Sequence, residues 1–216
     1  MVVLADCGGG SEDDAKPSKS ATSASASTTA PTADETSEDP YPPTVTGDID
    51  RKAHSEGWTY DDSLYSSASE YVQDMCDSLY VSAKEAASRP QWLAESGNMD
   101  GDGKAILEVG IPKLCPEWSK TLRQAVSGKY DRWFGDGNYD VKVAPGPTDA
   151  DSDVEEIVPG QYRTRGDLSE CYWERASQSG TIIANNFATQ ARVITVMLRA
   201  GELFHAEGCG IWKPVK

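Results

Sequence analysis

An α+β chain is predicted, in which a disordered N-terminal tether leads into a small disulfide-clamped helical domain and then a small all-β sandwich or barrel. Three observations predict this. Residues 8–50 hold almost no large aliphatic side chains, apolar residues at three- and four-residue spacing begin near Ser63, and short β-rich runs follow Phe134. The corresponding segments are 1–7, 8–57, 58–134 and 135–216.

The chain opens with Leu4-Ala5-Asp6-Cys7 followed by Gly8-Gly9-Gly10-Ser11. This resembles a bacterial lipobox, where Leu stands three residues before a cysteine that becomes the lipidated N-terminus. Asp6 stands where Gly, Ala or Ser is usual. The resemblance implies acylation of Cys7. It also implies a true start upstream, because Met1-Val2-Val3-Leu4-Ala5 is far shorter than the apolar part of an export signal. Each buried methylene contributes about 0.8 kcal/mol, and two acyl chains anchor stably where one does not. The bilayer reached through Cys7 is thus an expected partner, with a secreted form if Cys7 stays unacylated.

The tether, 8–57, is rich in Ser, Thr, Ala and Pro with scattered acids. Such a composition buries too little apolar surface to offset chain entropy. As a flexible coil, about 45 residues span roughly 40 Å. Ser/Thr/Pro stalks can also carry O-glycans.

Charge excludes some partners. The formal net charge is -15, of which ten acids and two lysines in the first 50 residues supply -8. Nucleic-acid affinity comes from cations displacing condensed counterions, so nucleic acid is not an expected partner. Electrostatic docking on an anionic membrane is excluded for the same reason.

The helical stretch begins with Asp61 and Asp62 as N-terminal residues. Leu64, Ala68, Tyr71, Val72, Met75, Cys76, Leu79 and Tyr80 then form an amphipathic stripe. A second helix is expected near 84–94, interrupted at Arg89-Pro90, and a third over 104–114. A fourth, over 116–130, has Pro116 in its first turn and Trp118, Leu122, Ala125 and Val126 on its apolar face.

Five cysteines are present, and the odd count leaves Cys7 apart. The others form a middle pair, Cys76 and Cys115, and a late pair, Cys171 and Cys209. If each pair closes, each loop spans roughly 40 residues and contributes roughly 4 kcal/mol. Such bridges belong outside the reducing cytoplasm. Cys76 on the first helix and Cys115 between the third and fourth could clamp a small bundle.

Asn98, Asp100, Asp102 and Gly103 fill the first, third, fifth and sixth places of an EF-hand-like pattern. The twelfth place, where a bidentate Glu closes the calcium shell, is Val109, and Glu108 falls one residue early. A calcium-stabilised, adhesion-like module would use Asn98, Asp100 and Asp102.

Beyond Phe134, the runs "NYDVKV", "EIVPGQYRTRG", "CYWERAS", "TIIANNF", "RVITVML" and "LFHAEGCGIW" read as short strands. Residues 145–153 read as an acidic exposed loop, and Pro159-Gly160 as a turn. In a strand, Cys171 and Trp173 face one side and Tyr172 the other. Trp173 and Trp212 are expected in the core.

Ile157-x-Pro159-Gly160-x-Tyr162-x-Thr164, then Cys171-Tyr172-Trp173-x-Arg175, Ile182-Ile183-Ala184-Asn185, Phe204 and Gly208-Cys209-Gly210-x-Trp212 together resemble a small β-domain. That domain recurs in secreted proteins and lipoproteins of actinobacteria. The resemblance implies an extracytoplasmic setting, a Cys171–Cys209 bridge and no catalysis. The loop 145–153 departs from the family pattern. More loosely, helical Cys76 with Cys115-Pro116 resembles small secreted helical domains from the same bacteria.

Catalytic signals are few. The two histidines, His54 and His205, fall at the tether's end and on a late strand. No G-x-S-x-G, HExxH or CxxC element occurs, so hydrolytic, zinc and thiol-redox chemistry lack their usual residues. The sequence therefore reads as a non-enzymatic, membrane-anchored extracytoplasmic lipoprotein without cofactor, binding a protein or a cell-envelope component such as wall glycan. A glycan-binding variant would place Trp58, Trp92, Trp133 or Tyr139 on an exposed platform. A calcium-stabilised module and a cell-wall hydrolase are the alternatives.

Overall fold

A computed structural model describes residues 39–61, 63–81, 83, 85–146 and 152–216. Cys7, the segment 1–7, most of the expected tether and part of the 145–153 loop lie outside the described residues.

The first element overturns the tether's expected end at residue 57. Helix α1 spans Val45–Glu56, and Ile49 and Ala53 on it are buried. Thr44 caps its N-terminus by accepting from the Gly47 N–H at 3.1 Å, and Gly57 ends it in the left-handed conformation at φ 68°. Val45, Ile49 and Ala53 make a stripe at four-residue spacing. It is narrow, and the Pro- and Thr-rich residues before it conceal it.

Helix α2 spans Ala68–Val81, so it starts later than Asp61 and Asp62 predict. Leu64 lies outside it and is exposed, as is Tyr80, while Ala68, Tyr71, Val72, Met75, Cys76 and Leu79 are buried as expected. Helix α4 spans Gly103–Leu114, close to the expected 104–114. Helix α3, Arg89–Glu95, starts where an interruption was expected. Pro90 lies in its first turn, where a missing N–H breaks no helical bond. The expected fourth helix divides into a 3-10 turn, Pro116–Trp118, and α5, Ser119–Ser127, which stops at Gly128 with φ 66°.

Val72, Leu79, Leu93, Ile106, Leu107 and Ile111 fill the helical core, joined by Ile49 and Ala53. Gly110 brings α4 close to α2: a Cβ built there would lie 2.4 Å from Val72 Cγ2. Cys76 on α2 bonds to Cys115 just beyond α4, with Cα atoms 6.1 Å apart.

Among the described residues the β half has eight strands, β1 Gly137–Val141, β2 Val154–Ile157, β3 Gly160–Leu168, β4 Cys171–Ser177, β5 Ile182–Ala188, β6 Ala191–Leu198, β7 Glu202–Glu207 and β8 Lys213–Pro214. They form a five-stranded sheet in the order β2-β1-β7-β4-β5 and a three-stranded sheet in the order β6-β3-β8. β1 and β2 run parallel, and the other pairs are antiparallel.

Both sheets feed one core. Tyr139, Val141, Ile157, Phe204 and Ala206 come from the larger sheet, and Tyr162, Ile194, Val196 and Leu198 from the smaller. The arrangement is a sandwich. Trp212, fully buried, meets Phe204 edge-on at 5.4 Å, and its backbone exchanges two hydrogen bonds with Phe134.

The two halves meet along the chain that joins them. Ser88 Oγ donates to the Asp131 carbonyl at 2.6 Å, and Arg132 pairs with Glu95 at 2.7 Å while donating to the Glu156 carbonyl at 3.1 Å. Residues 39–216 make one compact unit, within which each half keeps its own apolar core.

Candidate functional site

The late cysteines close as the family resemblance implies. Cys171 at the start of β4 bonds to Cys209 after β7, with Cα atoms 4.5 Å apart and both side chains fully buried. The Asp136 carboxylate accepts from the N–H groups of Gly208 at 2.9 Å and Cys209 at 3.0 Å. Thr164 Oγ1 donates to the Cys209 carbonyl at 2.6 Å. Gly208 holds φ 66°, and a Cβ there would lie 2.8 Å from the Glu170 carbonyl oxygen, so this turn requires glycine.

The calcium-like loop has other commitments. Asp102 Oδ2 accepts from the backbone N–H and the hydroxyl of Thr59, at 2.9 and 3.0 Å. Asn98 Nδ2 donates to Ser96 Oγ at 2.6 Å, and the Asn98 carbonyl accepts from the Tyr71 hydroxyl. Among the described residues, no three His, Cys, Asp or Glu side chains are grouped to hold a metal. A cleft of about 310 Å³ lies over this loop, lined by Tyr60, Tyr65, Tyr71 and Asp100 among others. The bond from Tyr65 to Asp74, at 2.7 Å, together with burial, pushes the Tyr65 phenol up to about 12.

His54 lies in the last turn of α1, with its ring 5.8 Å from that of Tyr41. His205 is on β7, where Nδ1 lies 2.9 Å from Asn138 Oδ1 and the ring is 6.0 Å from Tyr172. A cavity of about 300 Å³ beside His205 includes Glu174 and Asn138 in its wall, but no Ser, Thr or Cys.

The four aromatic residues proposed for a glycan platform are dispersed. Tyr139 is buried in the β core, with its hydroxyl donating to the Gly135 carbonyl at 3.1 Å. Trp58 and Trp92 are half-buried against the helical core. Trp133 is half-buried and covered by Lys213, whose Nζ lies 3.7 Å from the ring centroid.

What the sequence reading did not find is a cationic cleft of about 540 Å³ against the outer face of the smaller sheet. On β3, Tyr162 and Thr164 point into the core, so Arg163 and Arg165 point outward. β8 then places Lys213 directly opposite Arg163. Arg163 Nε donates to Thr195 Oγ1 at 3.1 Å, which fixes the plane of its guanidinium. The Arg165 side chain is exposed and has no hydrogen bond or ion pair among the described residues. Ile211, Pro214 and Val215 form an apolar wall, Glu85 adds one acid, and Lys216 at the rim is paired with Asp131 at 2.8 Å.

The alternation Arg163-x-Arg165 in a strand was a visible signal. The position of Lys213 was not, because it depends on pairing between strands far apart in sequence.

These strands carry the relation to known proteins. Residues 153–213 match the Rv1352-like extracellular domain. The match takes in both late cysteines and all three outward cations, Arg163, Arg165 and Lys213. It covers less than half of the chain, and it supports an extracellular setting and the resemblance to actinobacterial extracellular domains. No curated protein and no solved structure matches the chain significantly. No helix among the described residues is long and apolar enough to cross a membrane.

Proposed function

We propose that this chain is a non-catalytic extracytoplasmic lipoprotein, held to the membrane by acylated Cys7 and presenting its folded part to bind a protein or envelope component. The observation that carries this reading is the match of residues 153–213 to an extracellular domain, in a unit closed by two disulfides. Bridges of this kind persist in oxidising compartments. On this reading the Ser/Thr/Ala/Pro-rich residues before α1 act as the spacer between anchor and fold.

Absence of enzymatic activity is part of the proposal. The cavity beside His205 has no Ser, Thr or Cys in its wall, and two of the residues proposed for calcium already have partners, Asp102 in Thr59 and Asn98 in Ser96 and Tyr71. The test is the intact mass of the full-length protein extracted from native membranes. A mass beginning at Cys7 and increased by a diacylglyceryl group is expected, and Cys7→Ser should move the protein from the detergent phase to the aqueous phase. An unacylated N-terminus with unchanged partitioning would overturn the anchor.

A further inference from the structure

We propose that the cleft of Arg163, Arg165 and Lys213 binds the phosphate group of a phosphorylated glycan. The proposal rests on the extracytoplasmic binding role only for where that ligand is met.

Like charges placed directly across a strand pair are destabilising, yet Arg163 faces Lys213 across β3 and β8. Lys213 Nζ rests 3.7 Å over the Trp133 ring, which offsets part of that repulsion, and an anion bound between the two cations relieves the rest. Arg163 and Arg165 stand on one strand face, two residues apart, and each guanidinium presents a planar fork of donors that fits two phosphate oxygens. The bond from Arg163 to Thr195 orients the first fork, and Arg165 holds no competing partner among the described residues.

The remaining wall separates a sugar phosphate from simpler anions. Ile211 and Pro214 offer an apolar surface for the C–H face of a pyranose. Glu85 repels a free anion but accepts hydrogen bonds from hydroxyl groups. An anionic bilayer is the poorer source of phosphate. A flat membrane brings the rest of this acidic surface within a screening length of the headgroups, whereas one glycan strand meets the cleft alone.

The test is calorimetric titration of the full chain, at low ionic strength, with glucose 1-phosphate, glucose and inorganic phosphate, and with phosphatidylglycerol vesicles. Saturable binding of glucose 1-phosphate is expected, weakening as salt is added, with free phosphate weaker and glucose without effect. Arg165→Gln should weaken binding about tenfold, and Arg163→Gln combined with Arg165→Gln should abolish it. Arg165 is exposed and unpaired, so its variant keeps the fold. Arg192→Gln, an exposed residue outside the cleft, should change nothing. Equal affinity for glucose or for inorganic phosphate, unchanged binding by Arg165→Gln, or binding to the vesicles alone would overturn the proposal. A Cys7 found unacylated would overturn the anchor and leave these titrations unaltered, so the two failures are separable.

Discussion

The side-chain amide of Gln91 pairs with both backbone polar groups of Trp133, Nε2 donating to the carbonyl at 2.9 Å and Oε1 accepting from the N–H at 2.7 Å. Gln91 is buried in α3, and Trp133 lies on the segment entering the β half. The amide thus serves Trp133 as a neighbouring strand would. The same Oε1 also accepts from the Ser88 N–H at 3.3 Å, so one side chain caps α3 and holds it to the seam.

Gln91→Ala should therefore destabilise the protein by about 1–3 kcal/mol, because it leaves partly buried backbone groups without partners. Urea denaturation should show the loss as a lower midpoint, and the Trp133 amide should exchange faster with deuterium. A variant with wild-type stability and wild-type protection at Trp133 would show that the seam is held elsewhere.

Gly110→Ala tests the contact between α2 and α4. The added Cβ would fall 2.4 Å from Val72 Cγ2 and 2.7 Å from Cγ1, both on a fully buried side chain. Alanine favours the helical backbone over glycine by up to about 1 kcal/mol, but overpacking a tight core costs about 1–3 kcal/mol. A net loss of stability is expected. Gly110→Ala combined with Val72→Ala should recover part of it, and that recovery distinguishes a steric clash from a backbone effect.

The pair of Arg175 and Glu202 predicts a pH dependence. Arg175 donates to both Glu202 oxygens, Nε at 2.9 Å and the terminal nitrogen at 2.5 Å, and the Arg199 N–H adds a bond at 2.9 Å. Burial alone would raise the Glu202 carboxyl, but these bonds outweigh it and hold the carboxyl below its ordinary value of 4.5. A depressed folded-state value means that the contribution is full above the unfolded value and fades as pH falls through the folded one. Glu202→Gln should lower stability by about 3–5 kcal/mol at neutral pH, since Arg175 is left nearly buried and unpaired. As pH falls below about 4, the gap between wild type and variant should begin to narrow, and it should close only below the folded value. Parallel stability profiles across that range would refute the assignment.

Residues whose role depends on local pattern were legible in the sequence, and residues placed by distant pairing were not. Cys76 and Cys115, then Cys171 and Cys209, stand 39 and 38 residues apart, and each pair bridges within its own half. The stripe of α2 was legible because Tyr71, Val72, Met75 and Leu79 recur with the helical period. Helix α1 was not, since only Val45, Ile49 and Ala53 mark its face. A glycan-binding variant could have exposed Tyr139, yet it alternates with Val141 on β1 and points inward with it. The cationic cleft was hidden for a different reason. It exists because β3 pairs with β8, and no local period reports a partner that arrives near the end of the chain.

The two bridges make the last prediction, because they should respond differently to the same substitution. All four cysteines are buried, Cys171 and Cys209 completely and Cys76 and Cys115 at 5% exposure, so a mild reductant should reach either bridge only through local opening. Asp136 holds the turn around Cys209 through two N–H groups, and nothing comparable joins it to the helical bridge. Asp136→Ala should therefore speed reduction of Cys171–Cys209 without speeding that of Cys76–Cys115, as read by alkylation and peptide mass. Replacing either pair with alanine should cost about 4 kcal/mol by loop-closure entropy, before any cavity term is added. If Asp136→Ala exposed both pairs equally, the opening would be global unfolding, and the carboxylate would be supporting the whole unit instead of one turn.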